Sequence, residues 1–324
     1  MKCILNLVLL PIALALLAGC TAAPPRPVDK GIAFGLMGDT PYSAAEAVRL
    51  DALIDELNRE ELAFVVHVGD ITSGRGPCTD EWFEARKAQL QRIRHPVVII
   101  PGDNDWADCR RGGMQPMERL AKFRELFHAG GESLGARRIP VERPTGEYAE
   151  FREHMRWEAG GVQFVTLSVQ GGNNNLGGRR AVTDEYRQRM AAVNDWLAQA
   201  EQRVAERRLA GLVILIHANP DFEESWLKMK RPGAYDGFAD FRASLRALVK
   251  RLGRPVLLVH GDSHRFQLDQ PLRDAATGAT LAGFTRVEVW GSPWVRWVRG
   301  RLHPGAAVPF SITPSGAPDA PAAH

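Results

Sequence analysis

Short apolar runs alternate along the chain with longer stretches in which apolar residues recur every three or four positions. The runs are Ile32–Met37, Ala63–Val68, Val97–Ile100, Val162–Val169, Leu212–Ile216 and Val256–Val259. Their near-continuous hydrophobicity predicts strands buried on both faces. The periodic stretches Ala44–Arg59, Asp80–Arg92, Met117–Phe127, Asp184–Arg207 and Phe238–Leu252 predict helices laid on those strands. Such alternation defines an α/β fold. Past Asp262 the helices stop, and Arg265–Leu268, Thr285–Trp290 and Trp294–Arg301 read as consecutive strands. Residues 129–147 carry little apolar pattern and read as a surface excursion.

The two ends of the chain break this pattern. Lys2 precedes an apolar stretch, Ile4 to Leu17, that is too short to cross a bilayer comfortably. It ends in Leu17-Ala18-Gly19-Cys20, which resembles the lipobox of bacterial lipoproteins. The resemblance implies removal of residues 1–19 and lipidation of Cys20; an ordinary secretory leader with an incidental cysteine is the alternative. Residues 20–30 then read as a Pro-rich tether, 31–312 as one domain and 313–324 as a disordered tail. Thr21, where Asp would resemble an inner-membrane retention signal, places the expected location at the outer membrane, lipid-anchored and facing the periplasm. With Cys3 removed and Cys20 lipidated, Cys78 and Cys109 remain in an oxidising compartment, which predicts a disulfide rather than two buried thiols.

Composition narrows the possibilities. At 324 residues, 45% hydrophobic and 24% charged, the chain is neither collagen-like, mostly disordered nor a multi-pass membrane protein. Its 41 basic and 38 acidic residues balance too closely for an electrostatic nucleic-acid binder, and no basic stripe is interleaved with aromatics.

The candidate chemistry sits where strands end. Gly38-Asp39, Gly69-Asp70, Gly102-Asp103 and Gly261-Asp262 each follow an apolar run. In open α/β sheets ligands gather at the carboxyl ends of strands, and glycine permits a sharp exit there. A turn or helix cap explains any one of these aspartates; it does not explain four. His217 follows the run Leu212–Ile216, and His264 lies two residues past Asp262. Carboxylates and imidazoles collected this way are the donor set of a cation site.

These residues resemble the calcineurin-like metallophosphoesterases, whose blocks run Asp-x-His, Gly-Asp-x-x-Asp, Gly-Asn-His-Asp/Glu, a His, and Gly-His-x-His. The resemblance covers most of residues 31–312. It implies a four-layer α/β/β/α sandwich of two mixed β-sheets, one or two divalent metal ions, an activated water and a small phosphate ester as substrate. Asp39 matches the first Asp, but the His of that block falls on Pro41. Asp70 matches the metal-bridging Asp, and the second Asp of its block falls on Ser73. In Gly102-Asp103-Asn104-Asp105, Asp103 aligns with the Asn ligand and Asn104 with the His general acid. A slip of one residue, making Asn104 the ligand, stays open. His217 matches the isolated His and His264 the last one, with Asp262 in place of the block's first His. The implied ligands are Asp39, Asp70 and His264 at one position and Asp70, Asp103, His217 and Asp262 at the other. Asn104 and Asp70 take the catalytic positions.

The departures alter the electrostatics. Four ligand carboxylates bring two divalent cations to formal neutrality, whereas the family's two leave a net positive charge for phosphate. Added carboxylate favours Mn, Mg, Ca or Fe over Zn, and the lower charge weakens Lewis-acid drive. Arg75, Arg110 and Arg111, in the loops after the second and third blocks, are candidates for an anionic substrate, and Tyr42 for a hydrogen bond into the cleft. Trp106 reads as a wall of the site, His67 and His260 as core residues, and Lys228, Lys230 and Arg231 as a solvated loop. The expected function is a metal-dependent phosphoesterase anchored in the envelope. A non-catalytic binding or envelope-organising lipoprotein on the same fold is the competing reading, favoured by Pro41 and Asn104.

Overall fold

Strand exits at one edge of two facing sheets place every candidate ligand in the computed structural model, which describes residues 31–223 and 232–315. In chain order the strands are β1 (Ile32–Met37), β2 (Val65–His67), β3 (Val97–Ile99), β4 (Arg156–Ala159), β5 (Val162–Thr166), β6 (Gly211–Leu215), β7 (Val256–His260), β8 (Gln267–Asp269), β9 (Phe284–Glu288), β10 (Val298–Leu302) and β11 (Phe310–Pro314). One sheet has the order β11-β10-β1-β2-β3 and the other β4-β5-β6-β7-β9-β8. Both are mixed: β1, β2 and β3 are parallel, as are β5, β6, β7 and β9, while β10, β11, β4 and β8 pair antiparallel.

Side-chain alternation along these strands makes the layers. Phe34, Phe64, Val66, Val98, Phe164, Val213 and Leu257 point between the sheets and form one continuous core. Their neighbours Val65, Val97 and Ile99 face outward onto helices α1 (Ala44–Arg59), α2 (Asp80–Gln91) and α3 (Pro116–Phe127), through Leu50, Ile54, Phe83 and Phe123. Val165, Ile214 and Leu258 face α4 (Asp184–Glu206) and α5 (Ala239–Leu252), through Val193, Trp196, Phe241 and Leu245. A strand period of two, buried on both faces, thus gives the expected α/β/β/α order. Helix starts are fixed locally: Ser43, Thr79 and Thr183 cap α1, α2 and α4 by accepting from Glu46, Trp82 and Tyr186 backbone N–H groups.

The structure corrects several boundaries. β4 and β11 lack an apolar run, since β4 is half-buried and β11 mostly exposed, so pattern alone misses them. β11 extends to Pro314, which moves the domain end past residue 312. The strand expected at Trp294–Arg301 begins only at Val298, because Trp294 closes a turn onto the Gly291 carbonyl at 2.9 Å. The excursion 129–147 is pinned to both sheets by bridges Val97↔Leu134 and Glu142↔Arg156, burying Leu134 and Val141. The leader, Cys20, the tether, Lys228, Lys230, Arg231 and the tail beyond residue 315 lie outside the described residues. Cys78 and Cys109 form a disulfide, with Cα atoms 5.8 Å apart.

Candidate metal centre

Five loops converge at the strand ends. Asp39 follows β1, Asp70 follows β2, Asp103 follows β3, His217 follows β6, and Asp262 and His264 follow β7. Asp39, Asp70, Asp262 and His264 all take positive φ, at 51°, 60°, 76° and 66°. The turn is therefore made mostly by the aspartates, and the preceding glycines serve close approach. A Cβ on Gly102 would lie 2.0 Å from Oδ1 of Asp70, and one on Gly261 would lie 2.0 Å from Oδ2 of Asp39. Glycine here makes room for a carboxylate arriving from the next strand, for Asp70, or from the facing sheet, for Asp39.

Both histidines turn Nε2 to the centre. His217 Nδ1 lies 2.9 Å from the Val68 carbonyl, and His264 Nδ1 lies 2.8 Å from the Ser292 carbonyl. A carbonyl only accepts, so each Nδ1 carries a proton and Nε2 is the atom that each ring turns inward. His217 Nε2 faces Oδ1 of Asp103 at 3.0 Å and Oδ2 of Asp70 at 3.4 Å. His264 Nε2 lies 3.6 Å from Oδ1 of Asp39 and 3.0 Å from the Tyr42 hydroxyl. At His217 an imidazole nitrogen thus faces two carboxylate oxygens, a contact that a proton or a cation relieves, whereas His264 Nε2 also has the Tyr42 hydroxyl within hydrogen-bond distance. Oδ2 of Asp39 is buried with no hydrogen-bond partner among the described residues, which adds another available donor atom. The donor atoms of Asp39, Asp70 and His217 lie within 4.8 Å of one another, as do those of Asp103, His217 and Asp262. The residues fit divalent cations.

The electrostatics without a cation say the same. Burial pushes Asp39 up to about 7, with Asp262 and Asp103 adding repulsion, and raises Asp70 well above the carboxylate range. Burial likewise lifts Asp262 and Asp105 to about 6. For His217 burial opposes the charged form, yet the neighbouring carboxylates, Asp70 foremost, outweigh it and raise the imidazole well above its usual value. Burial and mutual repulsion therefore favour protonation of these groups where no cation balances them.

Several placements differ from the sequence reading. His217 belongs to both donor groups, while His264 stands at the edge beside Tyr42. Asp103 faces His217, and Asn104 instead donates its amide to Oδ2 of Asp70 at 2.6 Å; this geometry favours the unslipped register. The Tyr42 hydroxyl points into the cleft as expected, among Asp70 Oδ2 (2.9 Å), His264 Nε2 (3.0 Å) and Asn104 Nδ2 (3.2 Å). Arg75 is exposed, and Arg110 is exposed beside a neighbouring cleft. Arg111 reaches closer: its Nη1 binds Asp108 at 2.5 Å and the Gly74 carbonyl at 3.0 Å, next to Asn104. Trp106, His67 and His260 are buried.

Asp105 had received no role. Its carboxylate accepts the backbone N–H groups of Asp70 (2.9 Å), Ile71 (2.8 Å) and Gly102 (2.8 Å), locking the second loop to the third. Its place in Gly102-Asp103-Asn104-Asp105 was the available signal. Asn219, whose N–H donates to Oδ2 of Asp262 at 3.1 Å, carried none.

Two sheets between helices, with carboxylates and imidazoles gathered at the strand ends, define a metallophosphoesterase. The calcineurin-like phosphoesterase profile matches residues 33–266, and the chain belongs to that family. Among solved structures it is similar to a dimetal phosphatase from Danio rerio, at 14% identity and a TM-score of 0.52, covering 88% of this chain and 99% of that one. It is also similar to PhoD, at 13% identity and a TM-score of 0.52; that likeness covers 80% of this chain and 56% of PhoD. At these identities the likeness shows the fold. A comparison with curated proteins gives no match.

Proposed function

We propose that the protein is a divalent-metal-dependent phosphoesterase that hydrolyses a small phosphate ester, anchored to the cell envelope through lipidated Cys20. The observation that carries the reading is the pair of Nε2 atoms, on His217 and His264, turned toward buried carboxylates. Asp39, Asp70 and His264 would hold one cation, and Asp103, His217 and Asp262 the other, with Asp70 between them. When bound, the cations supply Lewis acidity toward the ester and make a water acidic enough to act as nucleophile near neutral pH.

The remaining work falls to the chain itself. Asp105 fixes the backbone of Asp70, while Tyr42 and Asn104 hold Oδ2 of Asp70 from the other side. Asn104 has no titratable proton, so the leaving group departs without proton transfer from that position. Esters with stable leaving groups are favoured accordingly. The Cys78–Cys109 disulfide supports an oxidising compartment, in keeping with the Leu17-Ala18-Gly19-Cys20 motif.

The test is elemental analysis of the purified full chain, paired with hydrolysis of 4-nitrophenyl phosphate and bis(4-nitrophenyl) phosphate under Mn, Mg, Ca, Fe and Zn. Hydrolysis that a chelator abolishes and a divalent ion restores is expected. Tight metal binding without hydrolysis of either ester would favour the binding-protein reading, and absence of metal uptake would refute both. Membrane release by Cys20→Ser tests the anchor.

A further inference from the structure

Beside the centre lies a cleft of about 490 Å³, lined by Trp106, Arg110, Met117, Glu118, Arg179 and Glu185 among others. Its size suits a small-molecule subsite. Both walls are extensions of loops that close on Asp103. Trp106 and Arg110 follow Asp103 directly, the Trp106 and Asp108 N–H groups bonding back to the Asp103 carbonyl at 3.4 and 2.9 Å. The opposite wall continues from Gly171, which packs so closely on Asp103 that a Cβ there would lie 2.3 Å from its Oδ1. The Asn175 N–H returns to the Gly171 carbonyl at 3.0 Å, and Arg179 follows.

The charges in the cleft are unequally committed. Glu185 is held by Arg189 at 2.5 Å and by the Asn175 amide at 3.1 Å. Among the described residues Arg110 has a loose contact with Asp108, at 3.7 Å, and the Arg179 guanidinium is hydrogen-bonded to neutral backbone carbonyls, the nearer being Leu176 at 3.2 Å. Glu118 is the remaining carboxylate, on the exposed first turn of α3. Two guanidiniums from opposite walls therefore face a space in which Glu185 is neutralised by Arg189 and Glu118 is left as a single exposed carboxylate, so positive charge is in excess. Met117, 53% exposed, adds an apolar contact at the same place.

We propose that this cleft binds the part of the substrate beyond the scissile phosphate, and that this part carries a second anionic group, held by Arg110 and Arg179, next to an apolar portion against Met117. The proposal rests on the phosphoesterase reading for its setting but is read from binding affinity rather than from rate. Paired guanidiniums are suited to phosphate oxygens because they offer charge and directed donors together.

The experiment is calorimetry of the Mn-loaded full chain with thymidine 5′-monophosphate and thymidine 3′,5′-bisphosphate, which differ by one phosphate. The bisphosphate is expected to bind about tenfold more tightly, the worth of one charge-assisted hydrogen bond. In the Arg110→Gln/Arg179→Gln double variant the ratio should fall to near one. Because a ratio is read, a general weakening of the variant cancels. Equal binding of the two ligands by the parent, binding of neither, or a ratio that survives in the variant overturns the proposal. Hydrolysis of the aryl esters is measured separately, so failure of the cleft leaves the phosphoesterase reading standing, and the reverse.

Discussion

His217 Nε2 lies 3.0 Å from Oδ1 of Asp103 while its Nδ1 is committed to the Val68 carbonyl. Without a cation the contact needs a proton, and a cation must displace it. Adding Mn to chelator-stripped protein in weak buffer near pH 6 should therefore release protons, and apparent affinity should fall as pH is lowered. Uptake of stoichiometric metal with no proton release would refute this account of the pair.

Asp70 and Asp105 divide the work of the bridge. Asp70 should contribute to both cation positions, so Asp70→Asn should reduce metal content more than Asn at Asp39, Asp103 or Asp262. Asp105 touches no cation position and acts through backbone, accepting three N–H groups. Asp105→Ala leaves these buried donors without their acceptor, at a cost on the order of 3 kcal/mol or more. Urea unfolding in chelator reads that cost directly; a change below about 1 kcal/mol would show that other groups take over the donors.

Most of the candidate centre is legible in the sequence because its candidate ligands follow strands, and strands buried on both faces are plain apolar runs. Asp39, Asp70, Asp103, His217, Asp262 and His264 come together for that reason. What sequence could not show was the partner each side chain meets. Tyr42 reads as a hydrogen bond into the cleft, but only the fold places its hydroxyl between Asp70 and His264. Asp105 looks like one more loop carboxylate until its three backbone donors are counted. The edge strands β4 and β11 escaped for a different reason: an edge needs no continuous apolar run, so pairing rather than composition defines it.

The disulfide couples stability to the site. Cys78 and Cys109 are 31 residues apart and join the loop after Asp70 to the loop after Asp103. A closed loop of this length is worth on the order of 3–4 kcal/mol in the chain-entropy account. Cys78→Ser/Cys109→Ser should lower the urea midpoint accordingly and weaken metal binding. A variant equally stable and equally metal-loaded would show that the hydrogen bonds of Asp105, Asn104 and Arg111 hold the two loops without it.

Buried acids set the pH dependence of the metal-free protein. Burial holds Asp39 at about 7 and Glu288 at about 8, above their unfolded values of 3.8 and 4.5. The folded state then binds more protons than the unfolded one, so stability falls as pH rises through these folded values. His128 and His154 work oppositely: burial lowers both to about 4 from 6.5, and their contribution is lost as pH falls below 6.5. Between pH 6.5 and 8 the acids act with little opposition. Thermal melting in chelator should therefore drop across that interval, and saturating divalent ion should reduce the drop by keeping Asp39 ionised and paired. A melting temperature that rises with pH in chelator would contradict the assignment.

Charge and proton supply together predict the ester preference. Four ligand carboxylates leave two divalent cations near formal neutrality, and attraction for a phosphate dianion suffers more than attraction for a diester monoanion. Asn104, whose amide is engaged by Asp70 Oδ2 at 2.6 Å and the Tyr42 hydroxyl at 3.2 Å, has no proton to give a departing alkoxide. The parent should thus favour diesters over monoesters and aryl over alkyl leaving groups. Asp262→His removes one negative charge, and Asn104→His places a titratable imidazole beside the leaving side of Asp70. General acid catalysis is worth on the order of 10²–10⁴ in rate where geometry allows, so the double variant should gain most on alkyl monoesters. The measurement is kcat/KM for matched aryl and alkyl mono- and diesters in both proteins. A parent that already prefers alkyl monoesters would show that neither the charge count nor the missing acid governs this centre.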